Sequence, residues 1–349
     1  MKRTCLTLIF ISVLFLSYSC RPFKVIGIEV YNPSAITFPP EVKTVMIVNN
    51  SAQQPDAIGH RYITNIKGDS SISVSADSTA YYLCMSLGKA IAESPLFHDV
   101  RICEDTLRRD SLFYDVRAFT SRDVRSFCAN YGVDALISLD KLFFTSISYR
   151  NEMPDILFDS SIRVDVAGEF RAYWPGQKEG YSIPFADSLV WILGDAFFHN
   201  DAIVEASMPS LQFAMRYLSE IIGKMMHINF VPHWSDDKRW YYTSITSEWK
   251  RGTAFAAANK WAEAAAIWEP LFEKQQKTRQ KARLASNIAL CNEMTGNFKK
   301  AIEYAEIAYN LFAENLDAGN DFNRIQKTYI NILEKRKESD KTLSKQLGE

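Results

Sequence analysis

The chain has 349 residues, of which 47% are hydrophobic and 13% aromatic, with 40 basic and 41 acidic side chains and a formal net charge of −1. That balance removes any compositional case for a nucleic-acid partner, which calls for a basic domain or stripe. At one domain per about 150 residues the length predicts two domains, with apolar residues enough for a core in each.

The first element is an amino-terminal leader. Lys2 and Arg3 open the chain, Leu6 to Leu16 is almost unbroken Leu, Ile, Phe and Val, and Ser17, Tyr18 and Ser19 lead into Cys20. A charged start, a short apolar run and a small residue at the cut describe a secretory signal peptide. A membrane-spanning helix would need about 20 apolar residues. With a cysteine directly after the cut, the segment resembles a bacterial lipoprotein signal. The resemblance implies cleavage of residues 1–19, a lipid on Cys20 and an outer-membrane lipoprotein. Arg21, Pro22, Phe23 and Lys24 carry no acidic cluster of the kind linked to surface export, so the protein is expected to face the periplasm.

Beyond the anchor, residues 20–42 read as a lipidated amino terminus and connector. Phe23 to Val30 alternates weakly and is a candidate first strand, and Asn32 to Val42 is proline-bearing. Residues 43–239 are expected to form an α/β domain. Lys43 to Asn50 is an apolar run suited to a buried strand, and Gln53 to Ser75 is polar and turn-rich. Asp77 to Glu93 carries Ala80, Leu83, Cys84, Leu87 and Ile91 at helical spacing and stops at Pro95. His98 to Glu104 predicts a strand. Ser121 is a candidate N-cap for a helix with Val124, Phe127, Cys128 and Tyr131 on one face, closed by Gly132. Strands are predicted at Val133 to Tyr149, Ser161 to Tyr173 and Tyr181 to Leu193, the last two joined by a turn over "WPGQKEG". A helix follows at Pro209 to His227. Helices are expected to cover one face of this sheet.

Three phrases, "VKTVMIVNN", "LGKAIAESPLFHDVRICED" and "FCANYGVDALISLD", follow one another between Lys43 and Asp140. Their order resembles the amino-terminal domain type of TolB and of the curli-secretion lipoprotein group. That resemblance speaks for packing rather than for chemistry.

Residues 240–335 are expected to be all-helical and repetitive. Trp249 to Phe272 and Ser286 to Phe312 are alike. Each has a helix of small residues, a tight turn (Asn259-Lys260 or Gly296-Asn297), an aromatic (Trp261 or Phe298) and then an alanine (Ala264 or Ala301). The two alanines stand 37 positions apart, near the roughly 34-residue period of tetratricopeptide repeats. Ala264 and Ala301 are expected where helices cross closely, with "EKQQKTRQKARL" as a long inter-helix segment. Asp321 to Lys335 is a predicted final helix, covering the last repeat with Phe322, Ile325, Tyr329 and Ile332. Residues 336–349 read as a charged tail. The predicted fold class is therefore α+β: a mixed, sandwich-like α/β domain with helices on a sheet, then a tetratricopeptide-like helical domain. The whole resembles an uncharacterised family of tetratricopeptide-bearing lipoproteins of Gram-negative gut bacteria.

No G-x-S-x-G, H-E-x-x-H, Walker A or Rossmann glycine pattern occurs. His227 and His233 beside Asp236 and Asp237 match no standard zinc spacing, and His98 and His199 read as surface groups. Asp195, Asp201 and Glu205 are close in sequence, but glycoside hydrolysis needs two carboxylates about 5–10 Å apart across a cleft. Cys84 and Cys128 fall on apolar helix faces as small hydrophobes, and a disulfide between them requires their helices to lie side by side. Trp234, Trp240, Tyr241, Tyr242 and Trp249 read as an interdomain hinge, with sugar stacking as the alternative. The expectation is a non-catalytic adaptor without metal or cofactor. It would bind an envelope protein or peptide through its helical repeats and its α/β domain, with a groove on the repeats and exposed Lys250, Arg251 and Asn292 as candidates. A glycan-active or glycan-binding lipoprotein is the second reading.

Overall fold

A computed structural model describes residues 23–150, 160–193, 208–314 and 320–348. The architecture is α+β, a sheet-rich half followed by helices, as the patterning predicts. It divides into two compact units. One takes the chain up to Asn32 together with Trp234–Leu343, and the other takes Pro33–His233 with Ser344–Glu349.

The sheet unit is built on β2 (Thr44–Asn49), a buried apolar strand flanked by two parallel neighbours. β5 (Asp99–Thr106) lies on one side and β6 (Ala135–Arg150) on the other. α1 (Thr79–Ala92) leads into β5, and α2 (Ser121–Tyr131) leads from β5 to β6. The alternation of β2 sends these helices to opposite faces. Val45 and Ile47 pack with Leu83, Cys84, Leu87 and Ile91 of α1, whereas Met46 and Val48 pack with Val124 and Cys128 of α2. The expected coverage of one face is thus corrected to both. α3 (Leu211–Met226) joins α1 on its face, where Gly223 lets the two backbones meet. A Cβ there would lie 2.3 Å from the Leu83 carbonyl oxygen.

α2 is capped by Thr120, one residue before the expected cap. The Thr120 hydroxyl accepts from the Asp123 N–H while the Asp123 carboxylate accepts from the Thr120 N–H, a reciprocal capping box. It ends at Gly132, in the left-handed region with φ 60°.

β6 is long enough to serve two partners in succession on one edge. Its first residues pair with β2, and Ser146–Arg150 pair in parallel with β3 (His60–Thr64), which forms a hairpin with β4 (Gly68–Ser71). This hairpin lies in the stretch read as polar and turn-rich, where no strand is expected. On the other edge β7 (Ser160–Tyr173) and β8 (Tyr181–Leu193) add antiparallel strands. Between Leu139 and Lys141 the register slips by one residue. Ile137 and Leu139 face the α1 side before this bulge, and Leu142 and Phe144 face it afterwards. Asp140 is the extra residue, turned to the α2 side.

The helical unit contains α4 (Ser247–Ala257), α5 (Trp261–Lys274), α6 (Thr278–Met294), α7 (Phe298–Ala313) and α8 (Asn320–Leu347). Asn259 and Gly296 make the two tight turns at φ 57° and 78°. The "EKQQKTRQKARL" segment is not a long connector, since it is helical except for residues 275–277. The tail expected from residue 336 onward does not fray over its described part but continues α8 to Leu347, with pairs such as Lys341 to Glu338 one turn apart. The buried face of α8 is Gln326, Tyr329 and Leu333, whereas Ile325 is exposed. The expected domain boundary at 239/240 falls inside β9 (His233–Tyr242). β9 pairs with β1 (Phe23–Asn32), so the expected connector contributes a strand to the helical unit. Phe23 against Tyr242 and Tyr31 against Trp234 set the two strands in opposite directions.

Candidate functional site

In the sheet unit the strand order β5-β2-β6, with crossovers on opposite faces, makes a topological switch point between β2 and β6. Open α/β sheets bind ligands in the crevice outside the carboxyl ends of the strands at such a point. Here that crevice is a cleft of about 500 Å³, lined among others by Asn49, Ser51, Gln54, Thr79, Arg109 and Phe144.

The cleft exists because β2 and β3 do not meet along β6. Gln54 bridges the gap with its side-chain amide. Its Oε1 accepts from the Phe144 N–H at 2.8 Å, and its Nε2 donates to the carbonyls of Phe144 at 2.9 Å and Ile58 at 2.7 Å. One buried amide thus replaces a missing strand neighbour, which satisfies groups that are costly to leave unpaired. At the far side of the gap Gly59 has φ +92°, and a Cβ there would lie 2.6 Å from the Phe144 carbonyl oxygen.

The rim after β5 is charged. Buried Arg108 donates to the carbonyls of Asp115 and Leu112 and to the Asp110 carboxylate, at 2.6, 3.0 and 2.7 Å. This hydrogen-bonded pair holds the Asp110 carboxyl below its usual range, and Arg117 lies 3.1 Å from the same carboxylate. Arg108 is therefore spent on fixing the loop. Its neighbour Arg109 lines the cleft, is exposed and has no ion pair among the described residues. α1 also starts at the cleft, without a side-chain cap because Ser78 sits at φ 60°. The helix macrodipole and Arg109 favour a polar ligand with negative character, opposed by Asp77, which lines the same cleft and accepts from the Ser78 N–H at 2.9 Å.

Beside the cleft, on the α2 side, Asp140 is buried. Its Oδ1 accepts from Ser138 Oγ at 2.6 Å and Asn50 Nδ2 at 3.1 Å, and its Oδ2 from Tyr173 Oη at 3.0 Å, with Arg171 at 3.6 Å. Burial outweighs these donors and raises the Asp140 carboxyl above its ordinary value. A raised carboxyl contributes stability below its unfolded-state pKa, and that contribution is lost as pH rises through the folded value. The stability advantage of the wild type over Asp140→Asn is therefore expected to grow as pH falls from 7 toward 4. Parallel urea unfolding of both proteins across that range checks it, and a gap that shrinks toward acid pH would count against a raised Asp140.

The other expected residues are dispersed. Cys20, Asp195, His199, Asp201 and Glu205 lie outside the described residues. His227 and His233 pack ring to ring at 6.0 Å, and His227 Nδ1 faces the Lys224 carbonyl. Asp237 pairs with Arg239, and no metal-holding group of side chains occurs among the described residues. His98 is exposed. Cys84 and Cys128 are free and belong to cores on opposite faces of the sheet, so the geometric condition for their disulfide is not met. Burial pushes these thiols up to about 12 and about 11.

In the helical unit Ala264 and Ala301 are fully buried. Ala264 sits with Trp261 and Trp268, and Ala301 sits with Ala289, Ala305, Tyr329 and Leu333. Phe298 is half-buried under the Arg336 guanidinium, and Gly296 is exposed in its turn. The expected open groove, however, is filled by the chain's own β9. Tyr241 packs on Trp268 of α5, and Tyr242 on Phe312 of α7 and Phe322 of α8. The Asn287 side chain of α6 pairs with both main-chain groups of Tyr242 at 2.6 and 2.9 Å, and Trp249 Nε1 donates to the Tyr242 carbonyl. Every residue of α6 from Leu284 to Glu293 is buried, Asn292 included. Asn292 is therefore no surface candidate, while Lys250 and Arg251 are exposed. The aromatic stretch thus forms the core of this unit; only Trp234 is largely exposed, 4.8 Å from the Tyr31 ring.

Nothing in the sequence singled out Gln54, Arg109 or Asp140. The one available signal was the polar run Asn49-Asn50-Ser51 closing an apolar strand.

Residues 42–242 match the family model described as Domain of unknown function (DUF8603), and residues 250–335 match Domain of unknown function (DUF6340). No curated protein matches the chain. Among solved structures, a crystal structure of an uncharacterized protein is similar at 12% identity over 56% of this chain and 99% of its own, with a TM-score of 0.21.

Proposed function

We propose that this chain, which belongs to the DUF8603 family, is a non-catalytic binding protein of the cell envelope, held to the outer membrane by lipid on Cys20 and facing the periplasm. Its ligand is a polar, acidic group on an envelope protein or peptide, taken into the cleft of the sheet unit. The helical repeats act as a clamp on β9 rather than as an open peptide groove. The observation that carries this reading is the gap between β2 and β3, where Gln54 makes the hydrogen bonds a continuous strand would have made and Gly59 lets the backbone pass close to the Phe144 carbonyl. Arg109 and the uncapped start of α1 give that gap its preference for negative charge.

Two measurements test it. A photo-crosslinking residue at position 109 is expected to trap an envelope protein in intact cells, and the same residue at position 250 on α4 to trap none. Trapping at 250 alone would return the binding role to the repeats. For the anchor, mass spectrometry of the mature amino terminus is expected to find acylated Cys20, and Cys20→Ala is expected to release the protein from the membrane fraction. An unlipidated mature terminus elsewhere in the chain would end the anchor reading.

A further inference from the structure

We infer that the basic start of α6 is a docking surface for anionic phospholipid headgroups, pressed against the bilayer that holds the chain by Cys20. The inference rests on the proposed lipidation of Cys20, because that sets where the bilayer lies. β1 starts at Phe23, and the three steps back to Cys20 span at most about 10 Å. The end of β1 therefore stays close to the headgroups.

What lies at that end is cationic. The Phe23 ring meets Tyr242 edge-on at 6.5 Å, and the Arg283 guanidinium lies over the same Tyr242 ring at 5.5 Å. Phe322, 6.4 Å from Tyr242, carries Arg279 over its ring at 5.7 Å. Lys274, Lys277 and Lys281 belong to the same stretch of chain, where Glu273 is the one acid from residue 273 to residue 283. Lys274, Lys277 and Arg279 are exposed. None of these five cations has an ion pair among the described residues, and the nearby Asp321 is engaged by Arg324.

The placement is electrostatically uphill without an external anion. Lys277 is the N-cap residue of α6, with Arg279 and Lys281 in the first turn, where the macrodipole is already positive and disfavours cations. Arg283 Nε is shielded from water and has no hydrogen-bond partner. Burial and the Arg279 charge lower its affinity for its proton. Phosphodiester oxygens at the exposed Lys274, Lys277 and Arg279 would offset this crowding of positive charge, although they cannot reach the shielded Arg283 Nε. A Lys or Arg near an anionic bilayer contributes about 1 kcal/mol, or roughly fivefold in partition.

The test uses the chain from Cys20 onward without acyl groups, which contains every described residue, and sedimentation with vesicles at low salt. Binding is expected to phosphatidylcholine vesicles containing about a third phosphatidylglycerol, and not to phosphatidylcholine alone. Arg279→Glu with Arg283→Glu is expected to weaken it by roughly 30-fold or more. Because Arg283 packs on a core tyrosine, Lys274→Glu with Lys277→Glu serves as a second variant that touches only exposed side chains. It is expected to lose a similar factor while keeping the wild-type circular dichroism. Equal binding to both vesicle types, or binding unchanged in the lysine variant, would overturn the surface. The state of Cys20 is read separately by mass spectrometry on native membranes, so a failure of the anchor and a failure of the surface give different results.

Discussion

Glu293→Ala is expected to cost the helical unit about 3–5 kcal/mol, the usual penalty for breaking a buried ion pair from one side. Glu293 is fully buried on α6. Its Oε1 accepts from Arg239 Nε at 2.9 Å and from Arg336 Nη1 at 2.5 Å, and its Oε2 accepts from Tyr329 Oη at 2.7 Å. One carboxylate therefore ties β9 and α8 to α6. Removing it strands the Arg239 guanidinium, which is 1% exposed and keeps only the half-exposed Asp237 as a counter-charge. Glu293→Gln should fall between the two, because it keeps an acceptor but not the charge. Urea unfolding followed by tryptophan fluorescence checks this. A loss below about 1 kcal/mol, the range of solvent-exposed pairs, would show that water reaches the network.

Gly223→Val is expected to cost the sheet unit about 3 kcal/mol, at the upper end for overpacking a core. The obstacle is main chain rather than a yielding side chain. A Cβ at 223 would stand 2.3 Å from the Leu83 carbonyl and 3.0 Å from the Leu87 nitrogen. The helices would have to part, and parting them also breaks the bond from Ser86 Oγ to the Glu220 carbonyl, 2.6 Å long. Gly27→Ala is the control, since nothing lies within 4 Å of its added Cβ. Thermal unfolding should separate the two variants by several degrees. Equal midpoints would show that α1 and α3 can slide apart without loss.

Elements whose residues repeat a local rule were legible from sequence. α1 and α3 follow the apolar spacing of a helix with one buried face, and Gly132 and Gly296 stand where a left-handed turn is needed. β3 and β4 were not legible, because "HRYIT" and "GDSS" hold little apolar pattern. Their pairing is set by β6, whose length along a second partner cannot be read locally. β9 has five exposed residues and then a nearly buried run. It breaks strand alternation because its first part faces water and its end is surrounded by helices. The cleft was invisible for a related reason. Its residues come from four separate stretches, each ordinary by itself, and only the order of the strands assembles them.

The pairing of β1 with β9 also orders events in time. Asn32 and Ser235, hydrogen-bonded at 2.8 Å, stand 203 positions apart. A chain made from its amino terminus exposes β1 while the entire sheet unit is still being produced. Local helices can close as they emerge, but this ribbon must wait for a distant partner and then bear the entropy of closing a very long loop, which slows folding. β1 thus gains its partner only after the whole sheet unit has been made. Until β9 arrives, the first strand is an unsatisfied edge, open to pairing with any other extended chain.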